Sequence, residues 1–216
     1  FQLDSGSKIV SAARGKDYIF IVTDTSAYIM QFVGPPFTFS IRQVGSNCGA
    51  MSQHSLVHVD GIMYWMGKSG GFYAYDGGSV KKITCSVEDF VFTTQTSDDL
   101  GFNFGQSEQV FAGYNTLFTE INWFYCKDGS TQIDRCVTLN YREGLWTTSS
   151  LARTAYSDKY VLDNPYATEY NATGLPSVSI NGITNEFGAS ILYKHETGNN
   201  QLDVLGNKTA INAFIE

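Results

Sequence analysis

The chain has 216 residues, of which 43% are hydrophobic and 16% are charged, a composition typical of a folded globular protein and not of a disordered one. It contains 14 Lys and Arg residues against 21 Asp and Glu residues, giving a formal net charge of −7 at pH 7. Proteins that bind nucleic acids or anionic membranes concentrate positive charge, so both classes are disfavoured. No apolar run reaches the roughly 18 residues of a membrane-spanning helix, and no signal peptide or initiator Met precedes Phe1. We therefore expect a soluble protein that is part of a longer one.

The amino-acid usage favours β-structure. The chain holds 21 Gly, 15 Phe and 13 Tyr residues; aromatic residues are enriched in strands, and glycine supplies the tight turns between them. The first part of the chain contains four short apolar runs, which predict antiparallel strands over 8–13, 18–22, 27–33 and 38–43. Four such strands have the size of one blade of a β-propeller. We assign residues 1–45 to a first blade.

The second predicted blade covers residues 46–85. Its strands are expected over 53–59, 62–66, 72–75 and 79–85. Asp60 and Gly61 predict a type I′ turn, because both central residues of that turn have positive φ. The run 62–66 is apolar throughout, which indicates a strand buried on both faces. Gly71 and Gly77 are assigned to the two turns that follow.

The same plan recurs over residues 109–150, the third predicted blade. Its strands are expected over 109–114, 120–125, 135–141 and 145–148, with Gly129 in the turn of the middle hairpin. The second strands of the three blades, DYIFIV, GIMYWM and INWFYC, share an aromatic-rich pattern that marks the repeat.

Residues 86–108 form an insertion between the second and third blades. Glu88 and Asp89 suit the start of a helix, and we leave both a helical turn and an inter-blade loop open there.

Beyond the third blade the strand pattern weakens. Residues 151–187 are expected to be largely irregular, apart from a strand over 177–180. Residues 188–216 are expected to begin a further blade, with strands over 190–194 and 211–215. No long segment shows helical periodicity. The predicted fold class is all-β, a β-propeller-like array of four-stranded antiparallel meanders.

Few residues are candidates for chemistry. His54 and His58 on one strand would lie about 13 Å apart, too far to share a metal ion, and His195 has no Cys or second His beside it. Three acidic residues, Asp60, Asp76 and Asp128, each directly precede a glycine in a predicted turn, where an Asp side chain stabilises the turn itself. No pair of carboxylates that could serve a glycosidase is therefore identified. We assign no catalytic residue, metal ligand or cofactor. The residues singled out are the structural turn glycines Gly61, Gly71, Gly77 and Gly129.

The four cysteines, Cys48, Cys85, Cys126 and Cys136, lack metal-binding spacing. Cys126 and Cys136 could face each other across a hairpin. Because free cysteine usually behaves as a small hydrophobic residue, we expect reduced, partly buried thiols and no bond between Cys126 and Cys136.

Two weak motifs point towards sugars. Asn171 and Asn207 each begin an N-x-Thr sequence, which is the acceptor pattern for N-glycosylation but is common by chance. Tyr166 and Tyr170 lie in a polar stretch and are candidates for stacking on a sugar, although tyrosine also serves in ordinary packing.

Several stretches, in their order along the chain, resemble the tail nozzle (hub) proteins of short-tailed bacteriophages, the family of packaged-DNA stabilisation proteins and tail tubular protein B. The longest is SNCGAMSQHSLVHVDGIMYWMGKSGGFYAYDGGSVKKI at residues 46–83. FVGPPF at 32–37, LNYREGLW at 139–146 and ILYKHETGNN with INAFIE at 191–216 fit the same family pattern. The resemblance covers most of residues 16–216, and the order of the motifs is its specific part.

The resemblance implies a non-enzymatic virion component that extends the DNA-ejection channel and helps to retain packaged DNA. Its expected partners are sister subunits in a homohexameric ring, adjacent tail and connector proteins, and DNA that passes without specific binding. The implied location is the phage tail, after assembly in the host cytoplasm. The alternatives are a carbohydrate- or receptor-binding propeller of a virion or secreted protein, and a glycosidase.

Overall fold

A computed structural model of the chain describes residues 8–93, 101–158, 165–170 and 176–180. Strands make up 52% of the described residues and helices 7%. Most strands belong to four-stranded antiparallel sheets whose spatial order follows the chain, and no sheet is closed on itself in the described residues. The predicted all-β class and the propeller-like array of antiparallel meanders are therefore confirmed.

The first three sheets each contain four consecutive strands. The first sheet comprises β1 (Ile9–Arg14), β2 (Ile19–Thr23), β3 (Ser26–Gly34) and β4 (Thr38–Ser46). The second sheet comprises β5 (Leu56–Val59), β6 (Ile62–Met66), β7 (Phe72–Tyr75) and β8 (Val80–Ile83). The third sheet comprises β9 (Phe111–Asn115), β10 (Glu120–Tyr125), β11 (Arg135–Asn140) and β12 (Leu145–Ser149).

The strand predicted over 53–59 is shorter than expected, because β5 begins only at Leu56. Two serines account for the difference. The Ser55 hydroxyl donates to the Ser52 carbonyl at 2.9 Å, and the Ser52 N–H donates to the Ser55 hydroxyl at 3.2 Å. Such local side-chain bonds offer the backbone an alternative to the sheet ladder.

A fourth, three-stranded antiparallel sheet lies within residues 151–187, made of β13 (Ala155–Ser157), β14 (Tyr166–Tyr170) and β15 (Pro176–Ile180). The structure thus confirms the strand predicted over 177–180 as part of β15 and adds two strands, β13 and β14, where an irregular chain was expected. β13 is three residues long, too short for an alternating pattern to be visible in the sequence. Its pairing with β14 is non-local, and the Thr154 N–H donates to the Thr168 carbonyl at 2.7 Å beside it.

The insertion at 86–108 contains two helical turns in its described parts. The helix α1 spans Glu88–Phe92, and a 3₁₀ helix spans Phe104–Gln109. Val91 is fully buried, and the Phe92 ring lies 5.6 Å from that of Phe72 in the second sheet. The described part of the insertion therefore packs on its own chain. Two other predictions, the further blade over 188–216 and His195, lie outside the described residues.

One apolar core lies between the first and second sheets and another lies between the second and third sheets, and β6 contributes to both. Met63 and Trp65 belong to the core shared with the first sheet, whereas Tyr64 and Met66 belong to the core shared with the third sheet. Successive side chains of a strand point to opposite faces, so a strand between two sheets must be apolar at every position. This arrangement explains the uninterrupted apolar run of β6.

Three tryptophans connect neighbouring parts of the array through their indole N–H groups. Trp65 donates to the Cys48 carbonyl at 2.7 Å. In the third sheet, Trp123 donates to the Ser55 carbonyl at 3.0 Å and Trp146 donates to the Thr84 carbonyl at 3.0 Å. Each indole thus fills an inter-sheet core and also pairs a carbonyl of the neighbouring segment, because a buried indole N–H needs an acceptor.

The hairpin between β5 and β6 closes with two residues of positive φ. Asp60 has φ +49° and Gly61 has φ +85°, and Val59 pairs with Ile62 on either side of them. This is the geometry of a type I′ turn. Positive φ is also found at the other three singled-out glycines, Gly71, Gly77 and Gly129.

We expect Gly61→Val to lower the free energy of unfolding by roughly 1–3 kcal/mol, because a β-branched residue is strained at positive φ. Urea denaturation is the measurement. Gly61→Asn is the matched control, since asparagine tolerates this conformation and nothing within 4 Å obstructs a side chain there. Equal stability of the two variants would contradict the prediction.

Candidate functional site: an uncharged cavity along the inner strands

The first strands of the successive sheets lie side by side. β1 contacts β5, and β5 contacts β9. The Ser11 hydroxyl donates to the Gln53 carbonyl at 2.8 Å, and the Ala112 N–H donates to the His54 carbonyl at 2.8 Å. His54 also forms a parallel bridge with Phe111. β1, β5 and β9, the first strands of the three sheets, thus lie in one row, and we call them the inner strands.

A cavity of about 700 Å³ opens between these strands and the segment around β13. Its polar lining consists of hydroxyl, amide and imidazole side chains from Ser11, Gln53, His54, Gln109, Gln132 and Thr154. Its larger apolar groups include Leu56, Phe111, Ile133 and Tyr156. None of the residues that line this cavity in the described chain is Asp, Glu, Lys or Arg. The cavity can therefore form neutral hydrogen bonds and ring contacts, and its lining holds no carboxylate pair for acid–base chemistry.

Charged side chains occur where the cavity continues past β1. The adjoining space, of about 610 Å³, is lined by Lys8 and Glu108 among others. The Lys8 Nζ and Glu108 Oε1 atoms are 4.0 Å apart, and both side chains are more than 60% exposed. An exposed pair at this distance is screened by solvent and contributes little to stability. The two charges offset each other at this end of the cavity.

The two histidines near the start of the second sheet lie in different surroundings. His54 lies before β5 and lines the cavity, whereas His58 lies within β5, opposite Met63. In the part of the chain that the structure describes, no group of three or more His, Cys, Asp or Glu residues could hold a metal ion. Of the two histidines, only His54 lies in the cavity wall, where its imidazole can form hydrogen bonds.

Gly113 is a residue of this site that sequence reasoning missed. The Tyr156 ring lies over it so closely that a Cβ atom on Gly113 would stand 2.5 Å from the ring. The same ring lies 5.9 Å from the Phe124 ring. This contact seats β13 on the third sheet and closes one wall of the cavity. The available signal was the glycine inside an otherwise regular strand, which often marks a close approach.

All four cysteines are free thiols. Cys136 lies opposite Phe124 in the β10–β11 ladder, and Cys126 follows the end of β10. The two are therefore offset by two positions and do not face each other directly. Burial raises the pKa of Cys48, Cys85 and Cys126 to about 11 and that of Cys136 to about 12.

We expect the native protein to react slowly with iodoacetamide, because only the thiolate is nucleophilic. With a pKa of about 11 for Cys85, about one thousandth of that thiol is ionised at pH 8, so it should react roughly 100-fold or more slowly than glutathione. Cys85, the one that is only half-buried, should react first. Mass spectrometry with and without urea measures this. Equal alkylation rates in the native and unfolded protein would disprove the expectation.

Neither α1 nor the 3₁₀ helix, nor any other helix within the described ranges, is long and apolar enough to cross a membrane. The side chains of Tyr166 and Tyr170, and all of Asn171 and Asn207, lie outside the described part of the chain, so the two sugar-related motifs stay predictions.

A scan against protein-family models finds no matching family, and a search of curated proteins finds no match either.

Proposed function

We propose that this chain is the propeller-like part of a tail nozzle (hub) subunit of a short-tailed bacteriophage, which extends the DNA-ejection channel and helps to retain packaged DNA. The observation that carries the proposal is the neutral lining of the cavity along the inner strands. The ordered motifs at residues 32–37, 46–83 and 139–146 support the same family. The role is structural and non-enzymatic.

A neutral surface suits a channel through which a polyanion must move. Each phosphate paired with Lys or Arg would add a binding contribution that slows sliding. Residues 8–93 and 101–158 contain 11 Lys and Arg against 12 Asp and Glu, so most of the acidic excess of the chain falls on other residues. The described sheets are therefore nearly neutral, not acidic, and attract DNA weakly.

The proposed partners are sister subunits in a homohexameric ring and the adjacent tail and connector proteins. The proposed location is the virion tail, after assembly in the host cytoplasm. The free thiols support assembly in a reducing compartment, since structural disulfides rarely persist there. Passing DNA makes no specific contact in this proposal.

Two measurements on the whole chain test the proposal. Negative-stain images should show rings with a central opening. A titration with duplex DNA at about 50 mM salt should show no micromolar binding, because salt-sensitive phosphate contacts are few. Tight binding that weakens steeply with salt would contradict the proposal that DNA passes without specific contact and would indicate a subunit that holds DNA through its phosphates. A protein that forms no ring would refute the nozzle proposal.

A second candidate function is carbohydrate or receptor binding, and the amide-rich cavity wall favours it. Gln53 and Gln132 can donate to and accept from sugar hydroxyls, and Tyr156 offers an aromatic ring. Gln109 can accept through its amide oxygen, because its Nε2 already donates to the Gln106 side chain and to the Thr131 carbonyl. A glycan array decides this, with Gln53→Ala as the variant that should abolish any signal. A glycosidase would need two carboxylates facing the cavity, and the described lining supplies none.

A further inference from the structure

The β3–β4 hairpin is longer than the sheet that supports it. β3 and β4 each span nine residues, whereas β1 and β2 span six and five. Pairing between β2 and β3 ends at Ile19 and Met30, but β3 and β4 continue to pair as far as Gly34 and Thr38. The chain from Met30 to Gly34 extends about 13 Å further, at about 3.3 Å per residue. Residues 31–40, hereafter the hairpin tip, therefore project beyond β2.

The hairpin tip is apolar and exposed. Phe32, Phe37 and Phe39 are 67%, 78% and 44% exposed, and Val33 is 53% exposed. No charged residue occurs anywhere in residues 25–41. With about 200 Å² for each ring, the three phenylalanines together expose about 400 Å² of apolar surface. A patch of this size on a folded protein marks a site of interaction with a protein or a membrane.

Positive charge lies beside the base of the hairpin tip. Phe32 and Phe39, with ring centroids 5.8 Å apart, line a groove together with the end of β1 and the turn that follows it. That segment contributes Arg14, Lys16 and Asp17, all exposed, so positive charges outnumber negative ones there by two to one. The net charge of the whole chain disfavours anionic membranes, but charges more than about 8 Å away are largely screened at physiological salt. A surface that meets the hairpin tip therefore meets a local positive excess.

Other exposed apolar side chains lie at the same end of the array. β5 and β9 run in the same direction, as the parallel bridge between His54 and Phe111 shows. Lys8 and Glu108, just before β1 and β9, lie 4.0 Å apart, so the inner strands begin at one end of the array and finish at the other. The hairpin tip and the turns that follow β1 and β9 share this second end. The exposed large apolar side chains found there, besides those of the hairpin tip, are Ile19, Tyr114, Leu117, Phe118 and Leu145. All but two of the exposed large apolar side chains in the described residues thus lie at one end.

We propose that the hairpin tip inserts into the surface of an anionic lipid bilayer, with Phe37 deepest and with Arg14 and Lys16 against the headgroups. Apolar groups of peripheral proteins enter about 5–10 Å into the boundary between headgroups and acyl chains. A tip that projects by about 13 Å reaches this depth while β2 stays in water. This contact goes beyond the proposed nozzle role and does not depend on a ring.

Area and charge both favour a bilayer over a protein as the occupant. The exposed area of the three rings, about 400 Å², is half of the roughly 800 Å² that each partner buries in a specific protein interface. Binding to a bilayer has no such threshold, since its strength grows with the buried apolar area and with the attraction of basic residues to anionic lipids. The hairpin tip supplies the first contribution, and Arg14 and Lys16 supply the second. A flat bilayer also meets every turn at this end of the array together.

Flotation of the full chain with lipid vesicles tests the proposal. Vesicles of phosphatidylcholine and phosphatidylglycerol at a ratio of about 3 to 1 supply the anionic surface, and the unchanged protein should float with them. Phe37→Asp should lower the partition coefficient at least about tenfold, because the burial of one phenylalanine is lost. The matched control is Ile9→Asp, which places the same charge at an apolar side chain, 57% exposed, at the opposite end of β1. This control should bind like the unchanged protein.

Lys16→Gln separates the contribution of charge from that of apolar contact. It should weaken binding to the anionic vesicles by about fivefold, the effect of one basic residue near an anionic surface. Binding to vesicles of phosphatidylcholine alone, which is weaker in the unchanged protein, should stay the same in this variant. An equal loss with both kinds of vesicle would contradict the place of Lys16 against the headgroups.

An environment-sensitive dye reports the insertion directly. Phe37→Cys and Ile9→Cys are each labelled with a nitrobenzoxadiazole dye; the raised pKa of the four native thiols favours labelling at the new cysteine. The emission of the dye at position 37 should shift to the blue when anionic vesicles are added, and that of the dye at position 9 should not. Equal shifts at both positions would contradict insertion through the tip.

Circular dichroism confirms that each variant is folded. An unchanged protein that fails to float with anionic vesicles, or Phe37→Asp that floats equally well, would overturn the proposal. Light scattering provides the comparison with a protein partner. A change of oligomeric state in Phe37→Asp, with no vesicle binding by the unchanged protein, would assign the hairpin tip to a contact between proteins and overturn the bilayer contact. The nozzle proposal would stand or fall separately, on the images of rings.

Discussion

Trp123→Ala should lower the free energy of unfolding by about 3–5 kcal/mol, the cost of removing a large aromatic side chain from a core. Trp123 is fully buried between the second and third sheets. Its ring lies 4.9 Å from that of Phe72 and 6.0 Å from that of Trp146, and its N–H pairs the Ser55 carbonyl. The substitution therefore opens a cavity and removes the shorter of two hydrogen bonds to the Ser55 carbonyl, which keeps the Met66 N–H at 3.4 Å.

Urea denaturation followed by circular dichroism measures the effect. Trp123→Phe retains an aromatic ring but removes the indole N–H that donates to the Ser55 carbonyl, so the lost hydrogen bond should cost about 0.5–1.5 kcal/mol. Phe118→Ala is the exposed control, since Phe118 is 49% exposed and its loss should change stability by about 1 kcal/mol or less. A Trp123→Ala protein as stable as the Phe118 variant would show that this ring does not hold the two sheets together.

Gly49→Ala should destabilise the protein by about 3 kcal/mol, because no space exists for one methyl group. A Cβ atom on Gly49 would lie 2.1 Å from the Asp24 carbonyl oxygen and 2.5 Å from the Thr25 nitrogen. Both are backbone atoms and cannot move aside as a flexible side chain can. The segment is also held by the Lys68 N–H, which donates to the Gly49 carbonyl at 2.8 Å.

Gly78→Ala is the matched control for this substitution. A Cβ atom on Gly78 would meet only the Asp76 side chain, at 3.5 Å, which is ordinary contact. An alanine that fits without strain usually stabilises a protein by about 0.4–1 kcal/mol, through the unfolded chain. The two Gly→Ala variants should therefore differ in sign as well as in size. Thermal unfolding of both is the measurement, and equal melting temperatures would reject the argument.

The site itself was not visible in the sequence. Its lining combines residues from β1, the segment before β5, β9 and the residues around β13, which are far apart along the chain. Ser11, Gln53 and Gln132 have no distinguishing local pattern. They come together only when successive inner strands meet and the loop between β10 and β11 lies beside them. Gly113 and Gly49 are similar, because what excludes a side chain at each is an atom from a distant segment, Tyr156 or Asp24.

Local chemistry was enough to locate the strands of the first three sheets and the turn at Asp60 and Gly61. Alternation of side chains, the uniform apolar run of β6 and the φ preferences of Asp-Gly turns depend only on neighbours in the chain, so they could be predicted without the structure. The pairing of β13 with β14, the contact of Tyr156 with Gly113 and the uncharged cavity follow only from the tertiary structure. These features depend on which distant segments meet, and a local sequence pattern does not report the free energy of contact between segments that are far apart in the chain.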